Sequence, residues 1–174
     1  MTNKPAGPSD SSRPPAPDAR LPAPAQPTAA RGFETFEMRF TTTRRGARLA
    51  RRMAALRLDA WGFPYGTEAH DEIVLIVGEL AANAVTHGLV AGRDFHLRLQ
   101  AAPRSGTARV EVTDARGERV PERPAFPDGV GDEESGRGLL LVSRLAVRWD
   151  WHPRPNGPGK TVWAEYAGAP GCGR

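Results

Sequence analysis

The spacing of apolar side chains divides the chain into segments of period two and segments of helical period. Residues 33–41 alternate apolar with polar side chains, which predicts a strand with one buried face. Residues 44–61 and 67–88 carry apolar side chains three or four positions apart, which predicts two helices, each with an apolar side. The apolar side chains of the first strand are Phe36, Met38 and Phe40.

The second half of the chain returns to period two on both sides of a long loop. Residues 95–100 and 109–113 alternate apolar and polar side chains and predict a hairpin, whereas residues 114–138 are rich in Gly and Pro. The remaining predicted elements are a helix at 139–148 and strands at 147–151 and 161–166. This order predicts an α+β fold: a two-layer sandwich with a mixed, mostly antiparallel sheet covered by helices on one face.

The second predicted helix carries a polar strip within its apolar sequence. Glu79, Asn83 and His87 are four residues apart, so each step turns the side-chain direction by only about 40°. Burying such groups without partners costs several kcal/mol. Two explanations stay open for Glu79 and Asn83, a polar ligand against the strip or hydrogen bonds to neighbouring backbone. For His87, a phosphate contact and a structural role at the helix C-terminus both stay open.

Two further positions have side chains or backbone suited to binding a nucleotide. Asp114 stands where a strand meets the long loop, so its carboxylate could accept a hydrogen bond from an exocyclic amine or form an Asx-turn. Gly136, Arg137 and Gly138 lead into the helix at Leu139, where backbone amides and a forked guanidinium suit a phosphate. Taken alone, the Gly-x-Gly segment is equally the flexible entry to a helix.

Composition and charge limit the remaining classes of protein. The 174 residues carry a net charge of +4, with arginines crowded into 44–57, where a solvated helix face is favoured over a nucleic-acid surface. No apolar run reaches the ~20 residues of a membrane span, and no secretory signal is evident, so no membrane binding is expected. Because the arginines fit a solvated helix face, direct nucleic-acid binding is not expected either. The single cysteine, Cys172, suits a reducing cytoplasm. The Pro- and Ala-rich residues 1–31 predict a disordered tail, and residues 169–174 a flexible C-terminus.

In this order, the segments ELAANAVTH, VTD, GRGL and GKTVWAEY resemble the four boxes of the Bergerat-type ATPase fold found in histidine kinases, gyrase B and the Hsp90 chaperones. The chain is most similar to the stand-alone anti-sigma-factor serine/threonine kinases of Gram-positive bacteria, especially short actinobacterial regulators. The resemblance implies an ATP-binding kinase domain over residues 32–168.

The resemblance also implies a role for each matching residue. Glu79 matches the general base and Asn83 the Mg²⁺ ligand, while Asp114 matches the aspartate that recognises adenine. The positions implied to contact the phosphates or the adenine pocket are His87, Gly117, Gly136, Arg137, Gly138, Leu139 and Thr161, of which Arg137 is also implied in catalysis. The box that usually reads Asp-x-Gly-x-Gly departs here: Gly117 is displaced and the second glycine is missing, which bears on affinity for adenine.

For function, the resemblance implies transfer of the ATP γ-phosphate, with Mg²⁺, to a Ser or Thr of a STAS-domain anti-sigma-factor antagonist. A sigma factor and a second copy of the chain are the other implied partners. Three alternatives stay open: a nucleotide-binding regulator without kinase activity, a detached histidine-kinase catalytic domain, and a DNA-binding protein. The altered glycine box favours the first, while the absence of a preceding phosphoacceptor hairpin and the buried polar strip count against the other two.

Overall fold

The computed structural model describes residues 32–90, 92–117 and 137–168. The helices and strands are β1 (Glu34–Phe40), α1 (Arg44–Trp61), α2 (Glu68–His87), β2 (Phe95–Ala102), β3 (Thr107–Asp114), α3 (Arg137–Leu145), β4 (Arg148–Pro153) and β5 (Lys160–Ala167), with a single 3₁₀ turn at Pro103–Ser105. The predicted tail, most of the predicted loop including Gly136, and the C-terminal residues lie outside the described residues.

The five strands form one sheet in the order β1-β2-β3-β5-β4. Every pairing between described strands is antiparallel, where a mixed sheet was expected. The β3–β5 pairing places Asp114 opposite Lys160 and Thr113 opposite Thr161 at one end of the sheet. The predicted order of elements and the two-layer α+β sandwich are confirmed.

The core lies between the sheet and the helices. Alternate residues of the central strands, such as Leu97 and Val110, are almost completely buried, and so is one side of α1, including Leu58. Helix α2 supplies the largest share of the helical core, since Ile73, Ile76, Val77 and Leu80 are all buried. Each such side chain contributes about 1.5–3 kcal/mol on burial, so α2 is held firmly against the sheet.

Local sequence fixes the ends of the two long helices. The Thr43 hydroxyl accepts a hydrogen bond from Gly46 N at 3.0 Å, and Gly62 ends α1 with φ +101°, a left-handed conformation that glycine adopts without strain. Helix α2 begins after Thr67, whose hydroxyl accepts from His70 N at 3.3 Å. These caps set where α2 starts and therefore which of its side chains face α3.

One prediction about the core is wrong. Met38 was expected on the buried side of β1, but it is 39% exposed, whereas Phe36 and Phe40 are buried. Strand β1 is the edge of the sheet and has a neighbouring strand on one side only, so its face is covered less completely than that of a central strand.

No helix within the described parts of the chain is both long and apolar enough to cross a lipid bilayer.

Candidate functional site

The polar strip of α2 lies against the first turn of α3. Glu79 and Asn83 are both half-buried, and Gly138 is the second residue of α3. A β-carbon at Gly138 would come within 2.6 Å of Glu79 Oε2 and 3.7 Å of Asn83 Oδ1. The fold thus brings together two motifs that are far apart in sequence, and only a glycine leaves the Glu79 carboxylate in this place.

Asn83 carries a buried polar atom that is not satisfied. Its Nδ2 is inaccessible to solvent and has no hydrogen-bond partner within residues 32–90, 92–117 and 137–168. An unmade hydrogen bond of this kind costs about 1–3 kcal/mol. Hydrogen bonds to neighbouring backbone therefore do not account for the burial of the Asn83 Nδ2 group. A polar ligand against the strip would account for it.

The N-terminus of α3 is the electropositive element of the site. Arg137 begins the helix and is exposed, and Leu139 packs against the core and anchors the first turn. The free amides and the dipole of a helix N-terminus favour an anion. A phosphate placed near Gly138 would therefore be close to both the helix terminus and the polar strip.

Asp114 is engaged on both carboxylate oxygens. Oδ1 accepts from Arg116 N at 2.9 Å, and Oδ2 pairs with Lys160 Nζ at 2.8 Å. Lys160 Nζ also donates to Arg116 O at 2.9 Å, and both charged side chains are about 95% buried, with 5% and 4% exposed. The Asx-turn left open by the sequence is present. The lysine partner was missed, because only the β3–β5 register shows that Lys160 faces Asp114.

The end of α2 closes over Asp114. A β-carbon at Gly88 would lie 2.5 Å from Asp114 Cβ and 2.6 Å from Ala84 O. The sequence pattern indicated Gly88 only as a helix stop, yet it also allows α2 and β3 to approach closely. His87, in the last turn of α2, is half-buried.

Thr161 and Gly117 have contacts other than with the Asp114 carboxylate. The Thr161 hydroxyl is 2.8 Å from that of Thr113, its neighbour on β3. Successive strand residues point to opposite faces, so the Thr161 side chain points to the other face from that of Asp114. Lys160, and not Thr161, is the residue of β5 that faces Asp114. Gly117 instead packs against Gly159, where an added β-carbon would be 3.3 Å from the Gly159 nitrogen.

A shallow cleft opens at the end of the sheet that carries Asp114 and Thr161. Its volume is about 240 Å³, and it is lined by Arg39, Asp94, His96, Thr113, Asp114, Arg154, Pro155 and Thr161. Burial lowers the pKa of His96, and Arg39, Arg98 and Arg154 lower it further, against the opposing effect of Glu37. Neither Glu79 nor Asn83 is among the residues that line the cleft.

The residues around Gly138 fit a magnesium–phosphate group. The described parts of the chain contain no cluster of three or more His, Cys, Asp or Glu side chains that could hold a metal by themselves. Mg²⁺ commonly binds through one or two protein oxygens and completes its shell with phosphate and water. The Asn83 carboxamide, with its unpaired Nδ2, and the N-terminus of α3 match that pattern.

Comparison with known proteins agrees with this fold. The Streptomyces coelicolor protein SCO4941, named as uncharacterized, is 44% identical over 79 residues, which are 45% of this chain and 70% of that protein. The crystal structure of the RsbU and RsbW domains of Rv1364c from Mycobacterium tuberculosis matches with a TM-score of 0.51 at 17% identity. The match covers 77% of this chain but 32% of that longer one, so it shows a shared fold.

The family comparison covers nearly all of the described fold. Residues 40–166 match the model of the histidine kinase-like ATPase domain, a span that contains the polar strip, Asp114 and the start of α3. The five-stranded antiparallel sheet with its helices agrees with the fold of that family and of the matched crystal structure. The chain therefore belongs to the histidine kinase-like ATPase domain family.

Proposed function

We propose that the protein is an ATP-dependent serine/threonine kinase of the anti-sigma-factor type. It transfers the γ-phosphate of ATP to a hydroxyl of a STAS-domain antagonist. The observation that carries the proposal is the placement of Glu79 and the unsatisfied Asn83 amide against Gly138 at the start of α3. A carboxylate, a carboxamide and a helix N-terminus in one place can supply the positioning and the electrostatic stabilisation on which phosphoryl transfer depends.

Each residue has a distinct task in this proposal. The Glu79 carboxylate orients the incoming hydroxyl and accepts its proton. Asn83 would hold Mg²⁺ through its carboxamide oxygen, while its free Nδ2 donates to a phosphate oxygen. When bound, Mg²⁺ neutralises charge that develops on the phosphate oxygens. Arg137 and the first amides of α3 would stabilise the same charge.

The identity of the partner is supported by the sequence and by the surface of α1. The four sequence segments most resemble anti-sigma-factor kinases, which act in the cytoplasm as homodimers and phosphorylate STAS-domain antagonists. In that family, an unphosphorylated antagonist draws the kinase away from a sigma factor. Helix α1 presents an exposed row of positive charge, which suits an acidic protein partner. Its exposed arginines are Arg44, Arg45, Arg48, Arg51, Arg52 and Arg57.

The test is a phosphorylation assay with labelled ATP, Mg²⁺ and candidate STAS-domain proteins. The wild-type protein should label one partner on Ser or Thr, and Glu79→Gln should slow labelling by about 10²–10⁴, the usual contribution of a general base. Glu68→Gln, an exposed change at the start of the same helix, is the matched control. A Glu79→Gln protein as fast as the control would remove Glu79 from the reaction.

A second candidate function is a nucleotide-binding regulator without kinase activity. The specific observation in its favour is the Asp114–Lys160 pair, which occupies the carboxylate expected to recognise adenine. Nucleotide binding by calorimetry, together with no labelling of any STAS-domain protein, would support this second function over the first.

A further inference from the structure

We infer that Lys160 determines base specificity, so that this site takes purine nucleoside triphosphates with little preference for adenine. The inference rests on the proposed nucleotide site and concerns the end that holds the base. It starts from the observation that Asp114, the expected reader of the adenine amine, already holds a lysine ammonium at 2.8 Å.

The Asp114 carboxylate is fixed in place on all the sides that the structure describes. The backbone amide of Arg116 holds Oδ1, Lys160 holds Oδ2, and Gly88 packs directly on the β-carbon. Lys160 is held in turn by Arg116 O and by its register opposite Asp114 in the sheet. Neither charged group can swing away without breaking several contacts at once.

A neutral amine is a weak competitor for this carboxylate. Hydrogen bonds with an ionised donor and acceptor are roughly twice as strong as those with a neutral partner. An adenine amine that displaced Lys160 would also leave a buried ammonium without its counter-charge, which is strongly unfavourable. The amine at position 6 of adenine therefore gains little from Asp114 in this chain.

The lysine changes which bases the site accepts. An ammonium has three donors, and two of those on Lys160 are used by Asp114 and Arg116. The third can donate to an acceptor on the base, such as a ring nitrogen or a carbonyl oxygen at position 6. A purine with a carbonyl there is then as acceptable as adenine, and affinity comes mainly from the phosphate end near Gly138.

Calorimetry with Mg²⁺ and either ATP or inosine triphosphate tests the inference directly, because these nucleotides differ at position 6 of the base. The wild-type protein should bind both with dissociation constants within about threefold of each other. Lys160→Thr frees Asp114 and should make ATP bind at least about tenfold more tightly than inosine triphosphate. Arg45→Thr removes one exposed charge on α1 and should behave as wild type.

Each outcome separates this inference from the proposed function. A wild-type protein that prefers ATP by more than about threefold overturns the role of Lys160 but leaves a kinase possible. A folded Lys160→Thr protein without any preference also overturns it, and the wild-type comparison still decides if that variant does not fold. Equal binding of both nucleotides without transfer to any STAS-domain protein supports the inference and defeats the kinase. Binding of neither nucleotide defeats both.

Discussion

Gly138 lies directly against the carboxylate of Glu79, with room for a hydrogen atom where other residues carry a β-carbon. The contact joins the first turn of α3 to the middle of α2. In the proposed function, it is the place where the phosphates of the nucleotide would meet Glu79, the general base. The position of Glu79 therefore depends on a residue that is itself chemically inert.

Replacing this glycine tests that dependence. Gly138→Ala would place a β-carbon 2.6 Å from Glu79 Oε2, so the flexible carboxylate must move. Because alanine has the higher helix propensity and the group that must move is the far end of a flexible side chain, we expect thermal stability close to that of the wild type. Phosphoryl transfer should fall by about tenfold or more, since the base leaves its position.

The control for this experiment is Gly78→Ala, which is also a helical position. There the added carbon meets only the flexible Arg51 side chain at 3.1 Å. Equal transfer rates for the two alanine variants, measured with the same STAS-domain substrate, would show that the position of Glu79 does not matter.

Asn83 offers a prediction in which function and stability move in different directions. Asn83→Ala removes a buried amide that has no partner in the described residues, so the ligand-free protein should keep or gain stability. Nucleotide binding in the presence of Mg²⁺ should weaken by about tenfold or more because a ligand of the ion is lost. Thermal unfolding and calorimetry measure the two effects.

A structural role for Asn83 makes the opposite prediction. If its carboxamide instead holds α2 and α3 together, Asn83→Ala should lower the unfolding temperature and leave the Mg²⁺ dependence of binding as it was. A lower unfolding temperature with unchanged Mg²⁺-dependent binding would therefore contradict the proposed role of Asn83 as a ligand of the ion.

The sequence predicts those parts of the molecule whose determinants are local. The apolar spacing of residues 67–88 is enough to locate α2, and the spacing of Glu79 and Asn83 is enough to place them on one side of it. The facing of Gly138 follows from the resemblance of whole segments, since no local pattern connects residues so far apart. The helices, the strands and the segments that carry the site residues could therefore be predicted from the sequence.

Contacts that depend on strand register were not predictable. Asp114 is read correctly as the end of a strand, but its partner depends on whether Lys160 or Thr161 faces it. A shift of one residue exchanges the two faces of a strand, and the sequence GKTV contains no signal that selects between them. The packing of Gly88 on Asp114 was missed for a related reason, because it depends on how α2 lies against β3.

Gly88 should be intolerant of any side chain. Gly88→Ala would put a carbon 2.5 Å from Asp114 Cβ and 2.6 Å from Ala84 O, and neither the strand nor the helix backbone can yield easily. Overpacking of this kind costs about 1–3 kcal/mol. Urea unfolding should show that loss relative to Gly78→Ala, and equal midpoints for the two variants would mean that α2 and β3 have room to separate.

Tyr166 gives a prediction for alkaline pH. Burial raises the pKa of Tyr166 to about 12 from its usual 10.0, with a further rise from its hydrogen bond to Glu72 and from the nearby charge of Glu68. A group whose pKa is higher in the folded state stabilises the fold fully below the unfolded value. That contribution is lost as pH rises from about 10 towards 12.

The chain has two tyrosines, so Tyr65→Phe leaves Tyr166 as the sole phenol to be followed by ultraviolet absorbance. In the folded protein its ionisation should be half complete near pH 12, and in concentrated urea near pH 10. Tyr166→Phe should lose less stability than the wild-type protein across that interval, because it has no phenol to ionise. Ionisation of Tyr166 near pH 10 while the near-ultraviolet dichroism stays native would show that its hydroxyl is open to water.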